Sequence, residues 1–151
     1  MTYLAECEVC LPLFDPQNII PALKKSVEFY PRKLKESVVN TALWSAEFTL
    51  AHAGAFASKK DMYNILGCFT RSLKNIVEAL FALNELYPIT DKHAIQLLSK
   101  TALSPKKLEE KVNAILSVEP TTIETNLKKY KRFICRSCYA HGQFISAEIR
   151  F

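Results

Sequence analysis

Glu47 lies inside VVNTALWSAEFTLA (residues 38–51), a run in which most neighbours are apolar or small. A carboxylate in such a setting must be paired, or its pKa must rise. A raised pKa suits a general base that takes a proton from a hydroxyl. The structural alternative is an ion pair with Arg71 or with a lysine across the fold. A second pattern sits near the other end, where Arg136-Ser-Cys-Tyr-Ala-His141 spaces a guanidinium five residues before an imidazole. Such a pair can stabilise charge on a phosphate and move a proton. Lys128, Lys129, Lys131 and Arg132 lie just upstream and would give RNA an electrostatic footprint. The same basic run also reads as a solvated helix face, or as a complement to a helix C-terminus. His141 stands beside Gly142 at the expected end of its helix, a poor platform for a preorganised site. His52 and His93 have no companion ligands in sequence, and no Ser-His-Asp or Cys-His arrangement is present.

The elements that would position these groups are helices. In SKKDMYNILGCFTRSLKNIVEALFALNELYP (residues 58–88), apolar side chains from Met62 to Tyr87 recur at three- and four-residue steps, which predicts one long helix with a core face. Asp61, Asn64, Arg71, Lys74, Asn75 and Glu78 form a second, polar stripe. Gly67 sits among them, where a neighbour or ligand can approach the backbone. Ser58 and Asp61 have the spacing of a capping box for this helix. Upstream, Asp15 and Pro16 are placed to start a helix from Pro16 to about Phe29. Pro31 opens another from Arg32 to about His52, which Ala53-Gly54-Ala55 should end. That second helix is apolar nearly all round, which predicts burial on every side. Shorter helices are expected from Thr90 to about Lys100 and from Ser104 to about Ser117, with a last one from residues 120–122 to about Tyr139 or Ala140.

Tyr3, Ala5, Cys7, Val9 and Leu11 alternate with more polar residues, which predicts a short strand. If it once paired in a larger sheet, its edge would be open to a second copy. The expected architecture is therefore all-α: an up-and-down bundle of five to six helices over 16–151, preceded by a strand-like tail over 1–15.

At 151 residues the chain suits one domain with a real core. It is 49% hydrophobic and 23% charged, a balance typical of water-soluble folds. No apolar run approaches the length of a membrane helix. The start lacks the pattern of a secretory leader, so a cytoplasmic location is expected. A net charge of +5 is a mild bias towards phosphate and does not by itself argue for nucleic acid. Five cysteines include two CxxC pairs, Cys7/Cys10 and Cys135/Cys138, with Cys68 apart. The odd count argues against a disulfide framework. The pairs are too far apart for a compact zinc ribbon, and a strand would turn Cys7 and Cys10 to opposite faces. They are read as ordinary thiols, with no metal site assigned.

Three blocks resemble the helical domain that follows the catalytic core in the nucleotidyltransferase superfamily with the DNA-polymerase-β-like fold. The first is LFDPQNIIPALKKSVEFYPRKL (residues 13–34), similar to the strand exit, turn and helix start leading out of that core. The second is the series Asp61, Arg71, LFALN, Tyr87 and Lys92, and the third is LSPKKLEEKVNAIL (residues 103–116). The resemblance implies substrate-binding positions at Asp61, Arg71, Asn84 and Lys92. It also makes Glu47 a candidate for the carboxylate that, in aminoglycoside nucleotidyltransferases, deprotonates the acceptor hydroxyl. Read on their own residue types, Asp61 caps its helix or orients Arg71, Asn84 bonds backbone at a helix contact, and Lys92 follows a turn.

The departure from that family is as informative. Its metal-binding signature, a Gly-Ser or Gly-Gly turn followed by Asp-x-Asp or Asp-x-Glu, does not occur here, and the three glycines precede no such pair. Nucleotide transfer by this chain alone is not expected, and Mg²⁺ with a nucleoside triphosphate belongs only to an intact parent enzyme. The expected role is a non-catalytic domain that walls an acceptor site, packs on a nucleotidyltransferase core or dimerises. An excised fragment would show a sticky surface near residues 1–16, whereas a remodelled protein would cover it. The rival reading rests on Arg136 and His141, whose spacing resembles the signature of HEPN ribonucleases, small helical proteins that cleave RNA as dimers.

Overall fold

A computed structural model describes residues 2–139, with side chains through Ile134. Seven helices follow one another: α1 (Thr2–Val9), α2 (Ile19–Val27), α3 (Arg32–Ala57), α4 (Met62–Leu83), α5 (Ala94–Leu98), α6 (Leu108–Leu116) and α7 (Ile123–Tyr139). The described residues contain no strand, and no described helix is long and apolar enough to cross a membrane.

The centre is an antiparallel hairpin of α3 and α4. Val39, Leu43, Ala46 and Leu50 of α3 meet Ile65, Phe69, Ile76 and Leu80 of α4, all buried. Three alanines on the inner face of α3, at 42, 46 and 53, keep that face narrow. Ser72 hydroxyl, buried in the seam, donates to the Ala46 carbonyl at 2.9 Å, so its burial leaves no lost hydrogen bond. At the open end of the hairpin the Tyr30 and Tyr87 rings stack with centroids 4.6 Å apart, and Lys35 pairs with Glu85 at 3.0 Å. Helix α7 closes the core from another side. Its Tyr130 is fully buried, meets Phe69 edge-on at 5.2 Å and donates its hydroxyl to the Phe69 carbonyl at 3.1 Å.

Both long helices end in the same device. Asp61 N–H bonds Phe56 carbonyl and Lys60 N–H bonds Ala57 carbonyl, while Leu86 bonds Phe81 and Glu85 bonds Ala82 in the same order. This is the Schellman pattern, with Lys60 (φ 55°) and Glu85 (φ 58°) in the left-handed position that glycine usually takes. Gly54 is not the end of α3, which runs on to Ala57.

Two further expectations are corrected. Residues 2–9 form a helix, not a strand. Leu4, Ala5, Glu6 and Glu8 are good helix formers, and a lone strand would leave its backbone groups unpaired, whereas a helix satisfies its own. With no strand edge there, edge pairing to a second copy has no basis. The helix also reverses the expectation for the first CxxC pair. A three-residue step brings Cys7 and Cys10 to the same side, with the Cys10 thiol 3.3 Å from the Cys7 carbonyl. The second correction concerns α3, expected to be buried all round. Its inner face is, but Trp44 and Phe48 on the outer face are 53% and 50% exposed. They stack at 5.0 Å, and Phe48 meets His52 at 4.6 Å.

Candidate functional site

The polar side of α4 is the natural place to look, because it carries most of the positions singled out in sequence. The helix starts at Asp61, whose carboxylate accepts from the Asn64 backbone N–H at 3.2 Å and from the Asn64 amide at 2.7 Å. These two bonds hold the Asp61 carboxyl below its ordinary range. Asp61 is thus the cap itself, whereas Ser58 donates back to Ala55 and belongs to the end of α3. Asn84, at the far end of α4, donates to the Leu80 carbonyl at 2.8 Å and accepts from the Leu103 N–H at 3.0 Å. It ties α4 to the segment leading into α6, as its amide chemistry suggested.

These two ends are roughly 35 Å apart along the helix. Asp61 and Arg71 are separated by about 15 Å of axial rise, so the cap does not orient the guanidinium. Arg71 instead folds back over Gly67, its Nη1 lying 3.3 Å from where a Cβ on Gly67 would be, and its Nη2 reaches the Cys68 sulfur at 3.5 Å. The glycine does admit a close neighbour, and that neighbour is Arg71. Lys92 is exposed, with its backbone N–H donating to the Thr90 hydroxyl at 3.2 Å. The four positions implied by the resemblance are strung along one helix and its following turn, and do not converge.

Glu47 is half-buried on the flank of α3. Burial pushes its carboxyl up from the ordinary value, the direction a general base requires. The expected cross-bundle pair does not form: among the described residues Glu47 makes no ion pair. Arg136 falls in the last turns of α7, but its side chain and the whole of His141 lie outside the described residues. So do the side chains of Cys135 and Cys138. Cys7, Cys10 and Cys68 are free thiols. Among the described residues no three His, Cys, Asp or Glu side chains gather closely enough to hold a metal ion.

Sequence reasoning missed one concave place on α4. A cavity of about 400 Å³ opens between the second half of α4, the first residue of α1 and the segment after Pro88. Val77 and Phe81 form its floor, and Lys74, Glu78 and Asp91 stand around it. Lys74 and Asp91 approach to 3.7 Å. Glu78 is close enough to the stacked tyrosines to affect Tyr30, whose phenol is pushed up to about 12 by burial first, then by Tyr87 and Glu78. Lys74 and Glu78 were visible as part of the polar stripe. Nothing in the sequence says that Asp91 and the start of α1 come back to face them.

No curated protein and no solved structure matches this chain. Residues 2–93 match a domain of unknown function, DUF4037. That stretch takes in α1 to α4 and the turn carrying Asp91, so both the hairpin and the cavity fall within it. The chain belongs to the DUF4037 family.

Proposed function

We propose that this chain serves as a non-catalytic helical domain of a nucleotidyltransferase-like protein, docking through its N-terminal segment on a catalytic core or on a second copy. One observation carries the reading. Leu13, Phe14, Leu11 and Tyr3 are 100%, 87%, 84% and 81% exposed, in the very segment where the resemblance places the exit from a core. Apolar side chains grouped this way mark a contact surface more often than a bare one. The sequence also lacks the acidic metal-binding pair that transfer chemistry would need. Glu47 would then be the residue offered to an acceptor hydroxyl, with Arg71 and Lys92 on the side meeting substrate or phosphate. The setting is the cytoplasm.

The test is light scattering of the purified chain over a concentration series, beside a calorimetric titration with ATP and Mg²⁺. Expected are self-association that Leu13→Asp with Phe14→Asp abolishes, and no heat from nucleotide. A monomer at every concentration that also fails to bind a co-expressed nucleotidyltransferase core would sink the docking role. An RNA cleavage assay runs alongside. Cleavage lost on His141→Ala would replace this reading with the ribonuclease one, to which Arg136 and His141 belong.

A further inference from the structure

The cavity on α4 is lined in a way that the domain role does not use. Its floor is apolar: Val77 is half-buried and Phe81 is 3% exposed, with Pro88 beside them. Among the described residues, two carboxylates, Glu78 and Asp91, and one ammonium, Lys74, stand around this floor. The formal charge of these described side chains is negative. Among the described residues Glu78 makes no ion pair at all. Asp91 has only Lys74, at 3.7 Å, with both side chains largely exposed. That separation is too long for a hydrogen bond and far from the 2.7–2.9 Å of a charge-assisted N–H···O contact. Both carboxylates thus keep hydrogen-bonding capacity beside an apolar-floored space, and the described cation nearest them is a flexible side chain held loosely.

We propose that this cavity is a binding site for a small organic amine, with the ammonium held by Glu78 and Asp91 and an apolar body resting on Val77 and Phe81. A volume of about 400 Å³ is within the range of small-ligand pockets. A bare hard metal fits less well. Such ions want six or more oxygens, whereas Val77, Phe81 and Pro88 supply none from their side chains and, among the described residues, no third acidic or imidazole ligand is at hand. An anion would meet two carboxylates against one lysine. Lys74 acts as a placeholder, occupying Asp91 until a better-seated ammonium displaces it. Because Thr2 of α1 forms part of the wall, a bound amine also bridges α4 to the N-terminal segment. The inference does not rest on the docking role: apart from Thr2, the amine site uses α4 and the turn after Pro88, and none of the exposed apolar residues Tyr3, Leu11, Leu13 and Phe14.

The experiment is a ¹H–¹⁵N titration of the full chain with phenethylamine, matched against 2-phenylethanol and 3-phenylpropionate. Expected are saturable shifts at Val77, Phe81 and Thr90 with the amine, and none with the neutral or anionic analogue. Glu78→Gln, close in shape and only half-buried, weakens the amine by about tenfold, the loss of one charge-assisted hydrogen bond. Asp91→Asn does the same if the first variant folds poorly by circular dichroism. Lys74→Ala carries the sharpest sign, because removing a competing cation tightens the amine by about threefold. Weaker binding in Lys74→Ala, equal binding of all three probes, preference for the carboxylate, or no shift at these residues up to the solubility limit of the amine would each overturn the proposal.

Discussion

Helices α3 and α4 bury side chains at every turn of the face they share, whereas α1 and α2 bury only Ala5 and Val27 between them. Both pairs are neighbours in sequence, and both carry many apolar residues. The difference lies in what those residues face. On α4 they fall on one stripe and meet α3, α5, α6 and α7. On α1 they scatter, and on α2 they line one face that little else covers, so Tyr3, Val9, Ile19 and Leu23 stay largely in water. The first region is held by its own contacts. The second leaves most of its apolar side chains in water, and touches the rest through Ala5, Thr2 at the α4 cavity and the Tyr30–Tyr87 stack that follows it. The described core is thus concentrated in one part of the chain, and its exposed apolar side chains in another.

The largest effect should come from the seam. Phe69→Ala empties the space against Tyr130 and costs about 3–5 kcal/mol in urea unfolding. Leu13→Ala, at a side chain 100% exposed, should change the same measurement by no more than about 0.5 kcal/mol. Equal losses at both positions would erase the contrast. Next comes Asn84→Ala, which strands the Leu103 N–H and loosens the end of α4, at a cost of about 2 kcal/mol. A smaller change of opposite sign is expected for Lys60→Gly, which relieves a left-handed residue and should stabilise the hairpin by about 1 kcal/mol.

The smallest effects depend on pH and have opposite signs. Glu47 has a folded pKa above its ordinary 4.5, so folding favours its protonated form. Its penalty is absent below that ordinary value, grows as the pH rises through the raised folded value, and is constant above it. Glu47→Gln should therefore raise the melting temperature slightly at neutral pH and leave it unchanged in acid. Asp61, held below 3.8 by Asn64, contributes stability above that value and loses it as the pH falls through the lower folded value. Asp61→Ala should lower the melting temperature at neutral pH, and the difference should shrink in acid. Thermal melts of both variants from pH 3 to pH 7, an interval chosen around the ordinary carboxylate range, would show whether the two curves diverge as stated.

The all-helical fold was legible because α4 repeats its apolar positions without interruption, and because Asp61 and Pro31 mark helix starts by chemistry that acts locally. Asn84 was legible for a similar reason, since an amide among apolar neighbours must find backbone partners. The helix ends were not. Gly54 looked like a stop, yet it lies inside α3, and the true left-handed positions are held by Lys60 and Glu85, which give no compositional warning. The N-terminal alternation covered too few residues to outweigh the helix-forming glutamates, alanine and leucine of Thr2–Val9. The candidate site was legible only on α4 itself. Lys74 and Glu78 stood in the polar stripe, but bringing Asp91 and Thr2 opposite them depends on two changes of chain direction that no local signal encodes.

The outer face of α3 has a practical consequence. The chain contains one tryptophan, and it is Trp44, half in solvent and stacked on Phe48. At that exposure its emission should already lie close to that of a wet indole, so unfolding is expected to shift the spectrum little, and melting followed by that signal would understate the transition. The same residue is an unlabelled reporter for anything that covers this face. A blue shift on mixing with a candidate partner would locate contact to one turn of one helix, and a silent spectrum would direct the search to the N-terminal segment instead.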